Sequence, residues 1–421
     1  MVKENFLVTG LFLLWMLPAA VAQFTLSGEI RPRTEYREGY RRMPLPEEKP
    51  AGFVYQRTRL NLQHQHQMIT TYVSFQDVRV WGQSSQKTLD PAMEIHQAWV
   101  ELFFKDSLFL KVGRQHLQYD NQRFLAINNW LQQGQKHDVV LLKYLTQRAE
   151  LHVGAAFNQK GQNINQNLNN FGTHYPVNNY KFMSFLWLHA PLFQGARLSL
   201  LGIADGYENQ QSHALYVRGT IAPYFTWASG NLQFMLNPGF QNGRTVNGQQ
   251  IEARYLRSEL GWRAIPLWRT SLGAEYFSGN DATQIDSKYR VFDPTHGTGH
   301  AHNGYMDYFT NFAVHTRGAG LLNPFWKNRF TTGQKLTFDI DLHLFYLGNE
   351  YVVENQPINR YLGLETDFTL NYTINEAAQL QLGYSVMFGT SSMEVIRGGS
   401  KDEWAHWAFA MLTVRPVFFK Q

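Results

Sequence analysis

Residues 335–346 read KLTFDIDLHLFY, and every second side chain is apolar. Leu336, Phe338, Ile340, Leu342, Leu344 and Tyr346 stand against Lys335, Thr337, Asp339, Asp341 and His343. A period of two makes a strand with one greasy and one wet face. The pattern recurs in 362–372, in 380–388 and, with Arg31, Arg33 and Glu35 on the wet face, in 24–37. A soluble sandwich also alternates. Here, however, the apolar faces run five or six positions without a break and often end in Tyr, Phe or Trp. That matches an outward band about 25 Å tall with aromatic girdles at both edges. Mid-strand charges on the other face suit a water-filled lumen.

The connections carry the same message. Short turns at Lys105-Asp106, Thr146-Gln147, Ser229-Gly230, 264–267 and 374–378 alternate with long polar loops at 38–51, 82–92, 116–136, 158–178, 279–304 and 390–403. Bacterial barrels alternate periplasmic turns and extracellular loops in this way. The expectation is an all-β, transmembrane antiparallel barrel of about 18 strands, with 16 as the alternative. It includes strands at 305–316 and 334–347. One segment breaks the rule: 317–333 falls on the short-turn side and is read as a long connection. The last strand, 404–419, ends in Val417-Phe418-Phe419, and a near-terminal Phe resembles the signal read by barrel-assembly machinery.

Composition narrows the alternatives. Of the 421 residues 17% are charged, 15% are aromatic and none is Cys, which excludes disulfide scaffolds, thiolate metal sites and a lipid-anchored Cys. A net charge of +5 is too mild to predict a nucleic-acid partner. Residues 1–22 have the parts of a secretory signal: Lys3, an apolar run from Phe6 to Leu17, Pro18 and the Ala20-Val21-Ala22 cleavage site. The expectation is export to the outer membrane of a Gram-negative bacterium, with residues 23–421 as one barrel domain.

Four ordered segments carry a pattern beyond alternation. The first is Val112-Gly113-Arg114-Gln115, followed by Tyr119-Asp120-Asn121-Gln122-Arg123-Phe124-Leu125, Asn129-Trp130 and His137-Asp138. The second runs from Glu275-Tyr276-Phe277-Ser278-Gly279-Asn280-Asp281 through Phe292-Asp293-Pro294 to His300 and Gly304-Tyr305-Met306-Asp307-Tyr308-Phe309. The third pairs Tyr55-Gln56-Arg57-Thr58-Arg59-Leu60 with Gln76-Asp77-Val78-Arg79, and the fourth is Leu362-Gly363-Leu364-Glu365. Together they resemble the alginate-export family of outer-membrane barrels, with Asp120 in place of a family Gly, Asn121 of a family Asp and Asn280 of the first Asp in the family's S-G-D-D run. The resemblance implies an 18-stranded monomeric barrel whose charged lumen passes an anionic uronate polymer.

The polar faces place Arg31, Arg33, Arg57, Arg59, Arg218 and Arg257 inward, with Arg79, Arg114 and Arg123 at the pore or its loops. Arginine offers a planar fork matched to carboxylates, and rings of it select anions. Glu29, Glu35, Glu101, Glu259 and Glu275 are available partners, and structural pairing competes with selectivity at each one. The four guanidinium groups of Arg31, Arg33, Arg57 and Arg59 form one patch that Glu29 and Glu35 neutralise only in part. It is expected to bind carboxylated sugars. Asp339, Asp341, Glu365 and Asp367 mark an acidic lumen zone, with Glu29 and Glu275 as further lumen acids.

His64 and His66, or His296, His300 and His302 with Asp307, suggest a metal less well than solvated or loop-capping histidines. No nucleophile elbow, P-loop or HExxH occurs. The reading is a porin-like channel for anionic, carboxylated sugar or polysaccharide solutes, not an enzyme, without cofactor or metal. Its expected partners are outer-membrane lipids, barrel-assembly machinery and an anionic oligo- or polysaccharide. The alternatives are a non-specific diffusion porin and a loop-plugged adhesin, the latter motivated by the Asn-rich loop 158–178.

Overall fold

The computed structural model describes residues 23–88, 93–104, 107–159, 179–209, 211–283, 287–294 and 296–421. Residues 1–22, read above as a secretory signal, the Lys105-Asp106 turn and most of the Asn-rich loop, 160–178, lie outside the described residues. The first strands are β1 (Gln23–Glu38), β2 (Ala51–His66), β3 (Ile69–Val80), β4 (Glu94–Phe103), β5 (Leu108–Gln115), β6 (His137–Leu145) and β7 (Glu150–Phe157). Then come β8 (Phe182–Phe193), β9 (Ala196–Glu208), β10 (Leu215–Ser229), β11 (Leu232–Arg244), β12 (Gln250–Ile265), β13 (Trp268–Phe277), β14 (Leu321–Thr332) and β15 (Leu336–Leu347). A small hairpin, β16 (Val352–Val353) with β17 (Gln356–Pro357), sits in the next loop. The chain ends with β18 (Tyr361–Asn375), β19 (Ala378–Gly389), β20 (Ala405–Val414) and β21 (Val417–Lys420).

Each wall strand pairs antiparallel with its sequence neighbours, and β1 closes on β20, giving 18 strands and no free edge. Pro416 has no N–H to give the ladder, so the last strand breaks there. Past the break, β21 resumes against β1 with Leu26 opposite Phe419. Along β1 the wet face is inside and buried (Glu29, Arg31, Arg33, Glu35), whereas Ile30, Thr34 and Tyr36 face outward and are exposed. Water cannot satisfy backbone groups in the bilayer core, so closure of this kind is what lets such strands span it.

The structure corrects one pair of sequence assignments. Residues 305–316 are not a strand: they run inside the barrel as loop and end in the one-turn helix α1 (Phe312–His315), capped by Asn311, whose side chain accepts from the Val314 amide. Their apolar residues do not alternate, and Met306, Tyr308, Phe309 and Phe312 are all buried. The strand is β14 instead, in the segment read as an anomalous connection. Pro324 disguised it. The ladder to β15 skips from Leu322 to Phe325, and the Asn323 side chain donates to the Leu344 carbonyl across the gap, at 3.0 Å. One strand replaces the other, so the count is kept and the turn after β14 is short.

The loops after β5 and β13 fold into the lumen and build a core that a plain pore would lack. Leu117, Phe124, Leu125, Phe292, Phe309 and Phe312 pack against the inward wall residues Tyr255, Phe277 and Phe345. Phe277 and Phe312 stack at 3.8 Å. Each buried ring of this kind contributes about 2 kcal/mol. The two loops touch so closely at Gly297 that a Cβ there would lie 1.8 Å from the Arg123 carbonyl oxygen. Gly297→Val is therefore expected to push them apart. Limited proteolysis should cut loop 116–136 faster, while the barrel keeps its heat-modifiable gel mobility.

Candidate functional site: the charged lumen

The Arg31, Arg33, Arg57 and Arg59 patch lies on the inner wall of β1 and β2, with Arg31 opposite Arg57 across the ladder. It is not open to the lumen. Arg31, Arg33 and Arg57 are at most 3% exposed, because loop 116–136 lies on them. Arg31 donates to the Asn129 carbonyl (2.7 Å) and the Gln132 side chain (2.9 Å), and Arg33 donates to the Trp130 carbonyl (2.8 Å). Arg33 also pairs with Glu35, and Arg57 with Glu29, which Arg415 holds from its other side at 2.7 Å. Arg59 donates to Gln76 at 2.7 Å. Carbonyl dipoles of the loop thus supply what the two carboxylates do not. Arg57→Ala with Arg59→Ala is expected first to loosen the loop, seen as noisier or larger single-channel conductance, with ion preference changing less.

Two sequence-assigned pore residues are elsewhere. Arg79 shares its parity with Phe75 and Asp77, and Arg114 stands opposite Ala98 and Asp138. Both therefore project from the outer wall near the long-loop rim, each in a two-pronged pair: Arg79 with Asp77 (2.6 and 2.7 Å) and Arg114 with Asp138 (2.9 Å for both). Arg79→Ala or Arg114→Ala should leave the reversal potential in a salt gradient unchanged.

Deeper in, charges hold the inward loops. Arg123, fully buried, pairs with Glu275 at 2.9 Å and donates to the Thr298 carbonyl and the Asn303 side chain. Glu275 also accepts from Tyr255 at 2.6 Å. Arg218 joins Asp205 (2.6 Å) and Asp293 (3.0 Å), and His296 meets Asp205 at 2.8 Å. Glu365 and Asp367 lie under the loop, where Glu365 accepts from the Met306 amide (2.7 Å) and Asp367 from the Tyr305 amide (3.3 Å). They are wall acids covered by main chain rather than open lumen charge.

Above them Asp307 bonds Tyr40 and His300. Burial pushes the Asp307 carboxyl up, but His300, Tyr40 and Arg41 together hold it below the usual carboxylate range. Burial, reinforced by Arg257 and Arg123, keeps His302 well below its ordinary value and so neutral. Among the described residues no three His, Cys, Asp or Glu side chains are grouped to hold a metal ion.

Among the described residues, part of the lumen is open at the short-turn end. A cavity of about 940 Å³ is lined by Arg197, Arg257, Arg263, Arg269, Lys327 and Arg329, with Glu259, Asp339 and Asp341. Asn121, His302 and Tyr305 of the inward loops also line it. Register aligns the cations: Arg263 is opposite Arg269, Arg269 opposite Arg329 and Arg329 opposite Asp339. Neighbouring strands are about 4.8 Å apart, so three guanidinium stems stand in one lateral row. The acids are engaged, Asp339 by Arg329 (2.6 Å), Asp341 by Lys327 (3.3 Å) and Glu259 by Arg257 (2.9 Å). No carboxylate among the described residues lies within ion-pair distance of Arg197, Arg263 or Arg269, and all three are exposed.

Sequence reasoning found Arg257 but missed the other five cations. Lys327 and Arg329 sat in the segment taken as loop. Arg197, Arg263 and Arg269 border turns, although parity with Arg257 and Glu259 could have placed Arg263 on the inner face.

The sequence pattern of the family described as alginate export matches residues 23–390. The chain belongs to the alginate export family. It is an outer-membrane β-barrel channel of the Gram-negative type. No curated protein matches it. Among solved structures it is similar to OpdO of Pseudomonas aeruginosa, at 12% identity and TM-score 0.62 over 94% of this chain and 98% of that one. OccAB1 of Acinetobacter baumannii is similar at 12% identity and TM-score 0.64, covering 94% and 97%. OpdK of Pseudomonas aeruginosa crystallised with vanillate gives 12% and 0.58, covering 93% and 99%. These likenesses are of fold.

Proposed function

We propose that this family member is an anion-preferring channel for carboxylated sugars, oligomeric or polymeric, that engage the cationic collar at the short-turn, periplasmic mouth. The observation that carries the reading is the row Arg263, Arg269 and Arg329, with Arg197 on the same cavity. Like charges directly across a sheet repel, so an exposed row of them is stabilised when anions occupy it. Arginine's fork suits carboxylates, and the partly enclosed cavity screens its field less than open water would. The channel works as a monomer without catalytic chemistry, cofactor or metal. The exposed Val417, Phe418 and Phe419 at the C-terminal edge serve recognition by the assembly machinery.

A second reading is favoured by the packed inward loops: the solutes are small carboxylates rather than polymers. OpdK, similar in fold, was crystallised with vanillate, an aromatic carboxylate. Planar-bilayer recordings separate the readings. A reversal potential of anionic sign, with current block by oligouronates that deepens with chain length, supports the first. Anion preference with block by small carboxylates alone supports the second. A cation-preferring or non-selective channel overturns both.

A further inference from the structure

The outer wall carries a basic cluster that the channel reading does not use. Its place is the long-loop end of β11 and β12. Arg254 belongs to the outward set of β12, between the buried inward residues Ala253 and Tyr255. Two positions nearer the membrane on the same face is Leu256, and Arg254 stands opposite Phe240 of β11, both exposed apolar side chains of the outer band. Two positions further out is Glu252.

Beyond the end of β13 the chain returns along this edge. Tyr289 bridges Ile251 in parallel: the Tyr289 amide donates to the Gln250 carbonyl at 2.7 Å, and the Glu252 amide donates to the Tyr289 carbonyl at 2.9 Å. That pairing fixes the flanking residues. Tyr289 packs inward against the core, and Lys288 and Arg290 are brought to Glu252 on the outside. Arg244, the last residue of β11, stands opposite Gln250 and donates to the Gly248 carbonyl at 2.8 Å.

Four cations thus gather where the apolar band ends. Glu252 contacts three of them: Lys288 closely, Arg290 at 3.7 Å and Arg254 at 3.9 Å. Asp286 lies outside the described residues. Counting it as ionised still leaves two positive charges in excess over Glu252 and Asp286. Two other outward arginines near the long-loop rim, Arg79 and Arg114, are each balanced by one carboxylate at hydrogen-bond distance. Arg254 differs: it is 69% exposed, and Glu252 is beyond hydrogen-bond reach.

We infer that this patch binds the phosphate groups of a phosphorylated glycolipid in the outer leaflet. Three features favour a lipid over a soluble anion. The cations face away from the lumen, they adjoin exposed Phe240 and Leu256 that would meet acyl chains, and they sit at the headgroup level of a wall in the outer membrane. Long cationic side chains at such a level keep their stems on apolar surface and their heads in the polar layer. Arginine and phosphate form two-pronged, charge-assisted hydrogen bonds. Arg254 and Arg290 would hold a phosphate, with Lys288 and Arg244 adding field.

The test uses the full-length mature protein in detergent, incubated with diphosphoryl lipid A or with the same lipid lacking phosphates, and read by native mass spectrometry. The wild type is expected to retain the diphosphoryl lipid and not the phosphate-free one. Arg254→Gln with Arg290→Gln should lower retention at least about tenfold, since each removed cation weakens headgroup attraction by a large part of a decade. Arg254→Gln alone removes no hydrogen bond at that side chain, so it keeps the test usable if the double variant assembles poorly. It should lower retention about threefold or more. Equal retention by wild type and Arg254→Gln overturns the inference. So does equal binding of the phosphate-free lipid, or full displacement by millimolar inorganic phosphate. Because the cluster lies outside the lumen, conductance and ion preference of the variants should equal those of the wild type, and failure here leaves the channel reading untouched.

Discussion

Arg263→Glu with Arg269→Glu is expected to turn the channel from anion-preferring to cation-preferring. The lining of the short-turn cavity holds six Arg or Lys and three Asp or Glu side chains, an excess of three positive charges. Two reversals change that by four and leave one negative charge in excess. Arg263 and Arg269 are the residues to change because they are exposed and face each other across the β12–β13 ladder. They are also free of the ion pairs that hold Lys327, Arg329 and Arg257. Their replacement should not cost the wall a buried partner, and surface charge changes of this kind usually move stability by about 0.5 kcal/mol or less. The readout is the sign of the reversal potential in a salt gradient, with oligouronate block as a second measure. Alanine at both positions should leave weak anion preference, and Asp339→Asn, which frees Arg329, should strengthen it. A sign that stays anionic in the double Glu variant would mean that ions are selected elsewhere.

Arg123→Met should destabilise the inward loops by about 3–5 kcal/mol, the usual cost of stripping one partner from a buried ion pair. Arg123 and Glu275 are both fully buried. Arg123 comes from the loop after β5, Glu275 from β13, and its other bonds go to Thr298 and Asn303 of the loop after β13. One side chain therefore ties two loops and the wall. Its guanidinium also lies 4.6 Å from the Phe277 ring centre and 5.2 Å from that of Phe312, so a thioether fills the volume but not the electrostatics. In the variant Glu275 keeps Tyr255 and Asn303, with Arg257 3.6 Å away, which softens but does not replace the loss. The barrel ladder does not depend on Arg123. The expected result is a folded barrel with loosened loops: larger, noisier conductance and faster proteolysis of 116–136. Arg123→Lys, which keeps the charge and loses the fork, should fall between. A quiet channel of wild-type conductance would show that the loops are held by their aromatic packing alone.

What the sequence determined by itself is the wall. A period of two needs only neighbouring residues, so β15, β18 and β19 could be read from their own letters, as could the inward side of Arg31, Arg57, Arg218 and Arg257. The alternation of short turns and long loops put the strand number near 18 for the same local reason. The structure alone decided what fills the lumen. Residues 305–316 are aromatic enough to pass for a strand, and only the inner wall offered by Phe277 and Phe345 makes burial inside better than pairing. β14 hid behind Pro324 because a closed barrel tolerates one missing ladder bond when Asn323 supplies a substitute. The arginine patch on β1 and β2 looked open because the carbonyls that cover it come from Asn129 to Gln132, some hundred residues away in sequence. Which cations stay uncovered depends on where two long loops come to rest. That is a matter of long-range packing and charge, which no local pattern in the chain encodes.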